Sequence, residues 1–126
     1  MSAPTLAARY RNACAALGLP VWRPGMRVWR DHGRLGSRFD EVTDVAGLER
    51  SGAEPDFNDP ATIGCLLAAV RQAWVAPTLF VRPTASGWTV MRGSGAGMGK
   101  LSDGPREADA LVGALEEAAQ RPASSR

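Results

Sequence analysis

Thr78-Leu79-Phe80-Val81-Arg82, Pro83-Thr84-Ala85-Ser86-Gly87 and Trp88-Thr89-Val90-Met91-Arg92 form the continuous stretch on which the fold turns. Two runs rich in β-branched and aromatic residues flank a five-residue segment of turn formers, the pattern of a β-hairpin. Period-two alternation puts Leu79 and Val81 on one face, with Trp88 and Val90 beside them on the partner strand. Strands joined this directly run antiparallel, because a parallel pair needs a long crossover, usually a helix.

Working towards the C-terminus, the glycine-rich stretch Gly93 to Gly104 reads as a flexible connection. Pro105 and the stripe Ala108, Leu111, Val112, Leu115 and Ala119 then predict a last helix. Residues 122–126 read as a disordered tail.

Working towards the N-terminus, Asn58-Asp59-Pro60 supplies a helix cap and a proline at the first helical position. Ile63, Leu66, Leu67, Val70 and Trp74 follow as one apolar stripe, the strongest helix in the chain. Residues 43–59 hold glycines and acids without periodicity and read as an exposed connector, with a short helical turn near Val45 to Arg50. Before them, Met26 to Arg30 and Leu35 to Val42 read as a second hairpin with Asp31-His32-Gly33 at its tip and Gly36 marking a bulge. A further strand is expected near Trp22. Leu6, Tyr10, Ala13, Cys14 and Leu17 predict an amphipathic helix over 4–17, capped by Ser2 and stopped by Gly18.

The order α-β-β-α-β-β-α predicts an α+β fold, an antiparallel sheet of two hairpins packed with helices. At 126 residues, 44% hydrophobic and 22% charged, the chain reads as one domain over residues 1–121. No apolar run approaches the ~20 residues that cross a bilayer, and no signal peptide is evident, so no membrane partner is expected and the location expected is the cytoplasm.

The net charge of +2 hides a segregation. Residues 1–38 carry seven arginines against Asp31, and residues 39–61 carry seven acids against Arg50. Two candidate surfaces follow. Asp40, Glu41, Asp44, Glu54 and Asp56 form an acidic stretch that suits a basic partner surface. Arg27, Trp29, Arg30 and Arg34 suit a nucleic acid, since guanidinium pairs with phosphate and indole stacks on a base. Whether the acidic stretch covers the basic hairpin is open at this level.

Catalytic and metal chemistry find little support in the sequence. Cys14 and Cys65 are fifty-one positions apart with no CxxC, and read as buried thiols. The single histidine, His32, falls at a hairpin tip, a poor place to exclude water. Gly93-Ser94-Gly95-Ala96-Gly97-Met98-Gly99-Lys100 fails as a phosphate loop, since Ser94 stands where the first glycine belongs and Leu101 where the hydroxyl belongs. The acids lack the order of a calcium loop. No catalytic residue, metal or cofactor is expected.

The helix Asp59-Pro60-Ala61-Thr62-Ile63-Gly64-Cys65-Leu66-Leu67, the segment Gly87-Trp88-Thr89-Val90 and the helix Glu107-Ala108-Asp109-Ala110-Leu111-Val112 resemble small phage and prophage proteins of unassigned function. The resemblance spans roughly residues 55 to 116. It leaves out the basic N-terminal third and the Gly93 to Gly104 stretch. Its matching residues are mostly cap and core positions, so it implies an origin and carries over no catalytic residue. The expectation that follows is a non-enzymatic binding protein acting on a host protein or nucleoprotein complex, in its sharpest form a stoichiometric inhibitor of a host defence nucleoprotein (anti-CRISPR-like). An accessory nucleic-acid-binding protein using the Arg/Trp hairpin is the alternative, and a virion or assembly component a third class.

Overall fold

A computed structural model describes residues 4–31, 37–41, 54–93 and 98–122. Among these residues three helices, α1 (Leu6–Leu17), α2 (Pro60–Trp74) and α3 (Glu107–Ala119), are interleaved with six strands. The strands are β1 (Arg27–Asp31), β2 (Ser37–Glu41), β3 (Glu54–Pro55), β4 (Phe80–Thr84), β5 (Gly87–Arg92) and β6 (Gly99–Gly104). They form two antiparallel sheets. The first is the β1–β2 hairpin, widened by the two-residue β3 on the other side of β1. The second runs in the order β4-β5-β6. The class is α+β, as the hairpin pattern predicts, but the two hairpins lie in two separate sheets rather than in the one sheet expected, and each sheet gains one further strand.

Helix ends follow local chemistry. Thr5, rather than Ser2, caps α1 by accepting from the Ala8 N–H at 3.1 Å; Ser2 lies outside the described residues. Gly18 closes α1 at φ 69°, a left-handed conformation that costs an L-residue about 1–2 kcal/mol, and the Leu19 N–H reaches back to the Cys14 carbonyl at 2.9 Å. Asp59 caps α2 by accepting from Ala61 and Thr62, with Pro60 at the first helical position as read from the sequence. Asp109 in the first turn of α3 accepts from the Arg106 backbone N–H at 3.2 Å and from its Nε at 3.0 Å.

The core is organised around α3. Ala108, Ala110, Leu111, Val112, Ala114, Leu115 and Ala118 are all buried, so the helix is apolar on nearly every side. It packs on α1, on α2 and on β5 and β6. Alanine at the contacts lets the backbones approach, and the Trp74 indole donates to the Ala114 carbonyl at 2.9 Å. At Gly113 a Cβ would fall on Ser102 Oγ, so a larger residue there would require the Ser102 hydroxyl to turn away from this helix–strand contact with β6. A bidentate pair from Arg9 to Glu116, at 2.5 and 3.1 Å, ties α1 to α3.

Four expectations are corrected. No strand forms near Trp22; residues 19–26 are irregular, and Trp22 and Met26 sit fully buried as plugs, with the Tyr10 hydroxyl donating to the Val21 carbonyl at 2.5 Å. The connector 43–59 is not wholly exposed, because Glu54–Pro55 pairs with β1 and Pro55 is buried. The β4–β5 hairpin turns on Ala85-Ser86 alone, since Pro83 and Thr84 continue β4 opposite Trp88 and Gly87. Proline is tolerated there because β4 is an edge strand. Finally, half of the glycine-rich stretch is strand. Gly99–Gly104 pairs with β5, with a register shift between Val90 and Met91.

The hairpin tip with His32 and Gly36, the turn near Val45 to Arg50 and residues 123–126 of the tail lie outside the described residues. Among the described residues no helix is long and apolar enough to cross a membrane.

Candidate interaction surface

Met26, fully buried, fixes the entry to β1, and its sulfur accepts from the Arg23 N–H at 3.1 Å. From there the strand alternates. Val28 is buried and pairs with the buried Pro55, so this face of β2-β1-β3 turns inward. Arg27 is half-buried and Glu54 exposed, so theirs is the outward face.

Register then sorts the candidate residues. Cross-strand partners share a face, and the pairs are Arg27 with Glu41, Trp29 with Phe39, Asp31 with Ser37, and Trp29 with Glu54. The outward face therefore holds the register positions of Arg27, Trp29, Asp31, Phe39, Glu41 and Glu54. Arg30 and Asp40 fall on the opposite face with Val28, where Arg30 is paired with Arg38. Asp56 follows β3 and serves the backbone: its N–H donates to the Arg27 carbonyl at 2.8 Å and its carboxylate accepts from the Asn58 N–H at 3.2 Å. Arg34 and Asp44 lie outside the described residues.

Two sets of candidates read as separate surfaces in the sequence are thus interleaved in one sheet. An aromatic cross-strand pair, Trp29 and Phe39, occupies the middle of the outward face. Around it stand one arginine position and three carboxylate positions, Asp31, Glu41 and Glu54. The face is net acidic although the segment that supplies β1 is basic. Sequence reading missed Phe39 and the pairing of β3. Phe39 was legible in principle, since it alternates with Glu41, but nothing local announces that Glu54 crosses back to Trp29.

The thiols offer no competing site. Cys14 is buried and Cys65 half-buried, neither is in a disulfide, and burial pushes both thiols up from their ordinary range, which lowers the thiolate fraction a nucleophile needs. Among the described residues no group of three or more His, Cys, Asp or Glu is placed to hold a metal ion. The chain matches no protein-family model, no curated protein and no solved structure. Its functional reading therefore rests on its own residues.

Proposed function

We propose that the chain is a non-enzymatic binding protein that presents the outward face of β2-β1-β3 to a basic surface on a partner protein. The observation that carries this reading is the register that surrounds the Trp29–Phe39 pair with Asp31, Glu41 and Glu54. Aromatic positions in the middle with charged positions around them match the anatomy of a protein interface, where the centre supplies affinity and the rim selects the partner. Direct binding of nucleic acid is the weaker reading, because the carboxylate positions opposite Arg27 and Trp29 repel a phosphate backbone.

The partner to test first is a host defence nucleoprotein complex, whose nucleic-acid channel is basic and which the resemblance to phage proteins brings into view. In that setting the chain is a stoichiometric inhibitor that occupies the channel mouth. Affinity capture of the tagged protein from lysate of its natural host, with and without nuclease, tests it. The expected result is a complex that survives nuclease, binds one chain per site and loses target binding. Glu41→Lys with Glu54→Lys is expected to weaken that retention at least tenfold. Retention that disappears with nuclease would overturn the reading in favour of direct nucleic-acid binding.

A further inference from the structure

At the far end of α2, Trp74 is fully buried, yet two guanidinium groups lie over its ring: Arg92 at 5.3 Å and Arg121 at 5.2 Å from the centroid. Neither arginine has a carboxylate partner among the described residues. A guanidinium over an aromatic ring is held through its face, which leaves the N–H donors around its edge free for a carboxylate. Two like charges on one ring also repel, and an anion beside either relieves part of that cost.

The apolar surroundings are equally uneven. Val75 is 78% exposed and Met98 41% exposed. Both neighbour this stack along the chain or across the sheet register. Val75 follows Trp74 directly, and Met98 precedes Gly99, the register partner of Arg92. Val75 also sits at φ 51°, ψ 46°, in the left-handed region that a β-branched residue avoids. That conformation closes α2, with the Val75 N–H donating to the Gln72 carbonyl at 3.2 Å and the Ala76 N–H to the Arg71 carbonyl at 2.9 Å, and it leaves the Val75 side chain exposed.

We propose that this end of the molecule is a second docking site, which takes an acidic peptide segment carrying an apolar side chain. Arg92 and Arg121 grip the carboxylates, and Val75 and Met98 contact the apolar residue. Free guanidiniums alone would equally suit phosphate. The neighbouring apolar side chains decide for a peptide, because a sugar–phosphate backbone offers them nothing, and two such side chains are too few to hold a membrane surface. The site shares no residue with β2-β1-β3, so the two readings fail separately.

A displayed library of random twelve-residue peptides, selected on the immobilised full chain, tests it, with the most enriched peptide then titrated by fluorescence anisotropy. The expected outcome is enrichment of peptides with several Asp or Glu and one or two Leu or Phe. Affinity is expected to fall at least tenfold in Arg92→Gln with Arg121→Gln and about threefold in Val75→Ser, and to stay unchanged in Glu41→Lys with Glu54→Lys. Should the arginine double variant fail to fold, Val75→Ser with Met98→Ser reports on the same site. No enrichment of acidic peptides, affinity unchanged in these variants, or displacement of the peptide by a twenty-nucleotide oligothymidylate or by phosphatidylserine vesicles at lower concentration than by unlabelled peptide would each overturn the proposal.

Discussion

Thr62 holds the backbone of Arg27 from two directions: its hydroxyl accepts from the Arg27 N–H at 2.8 Å and lies 3.5 Å from the Arg27 carbonyl as a donor. Thr62 is fully buried in the first turn of α2, so this one hydroxyl fixes where β1 begins relative to that helix. The outward face of β2-β1-β3 inherits its orientation from that contact.

Replacing Thr62 by Val keeps the shape and removes the acceptor. The Arg27 N–H is then left unpaired in a buried setting, at a cost of roughly 1–3 kcal/mol. Urea denaturation is expected to show this loss in Thr62→Val and most of it restored in Thr62→Ser. Equal stability of the two variants would show that the hydroxyl does not anchor the strand.

Val75→Gly is expected to stabilise the protein. Glycine enters the left-handed region freely, so the substitution relieves about 1–2 kcal/mol of backbone strain, less the extra freedom of an unfolded glycine. A thermal midpoint raised by a few degrees checks it. The same variant loses an apolar contact of the proposed peptide site, so stability rises while peptide affinity falls.

Gly87→Ala is expected to destabilise by roughly 3 kcal/mol. Its φ of 155° suits glycine, and a Cβ there would fall on the Gly104 carbonyl and the Pro105 Cα, backbone that closes β6 against the start of α3. Denaturant midpoints of Gly87→Ala and of Ser86→Ala, in the adjacent exposed turn, should separate clearly.

Alkaline pH should weaken the fold. Burial pushes the Tyr10 phenol well above its ordinary 10.0, with the nearby Cys14 adding to the shift, and burial likewise raises Cys14 above 9.0. The unfolded chain releases these protons first, so their contribution is complete below about pH 9 and declines as pH rises past 9 to 10 towards the folded values. Each group adds a slope of up to about 1.4 kcal/mol per pH unit in that window. Denaturation curves taken from pH 7 to 11 should show the decline, and Tyr10→Phe should flatten it above pH 10 while lowering stability at neutral pH through the lost bond to Val21.

Helices and the positions of the two main hairpins were legible because their signals are local. Asp59-Pro60 announces α2, and the alternation around Trp88 and Val90 announces β5. What stayed hidden depends on distant partners. Gly99–Gly104 has no strand composition, and it pairs only because β5 offers an edge and Gly104 allows β6 to lie against α3. Glu54–Pro55 is equally mute, since a proline beside an acid is a strand only when Trp29 and Val28 stand opposite. For the interaction surface, charge counting along the chain separated acids from bases that the register brings together. The Arg92–Trp74–Arg121 stack escaped notice because its members come from β5, α2 and the second residue beyond α3.

Because α3 is the element on which α1, α2 and the second sheet all close, and because it follows the other described elements in the chain, synthesis delivers the keystone after the parts it joins. Until residues 107–119 emerge, Trp74 has no carbonyl to receive its indole N–H and Arg9 has no carboxylate to meet. The nascent chain therefore carries the apolar surfaces that α3 covers exposed until residues 107–119 are made, at some 5–20 residues per second. Its exposure to chaperones and proteases is set by the rate at which its last helix arrives.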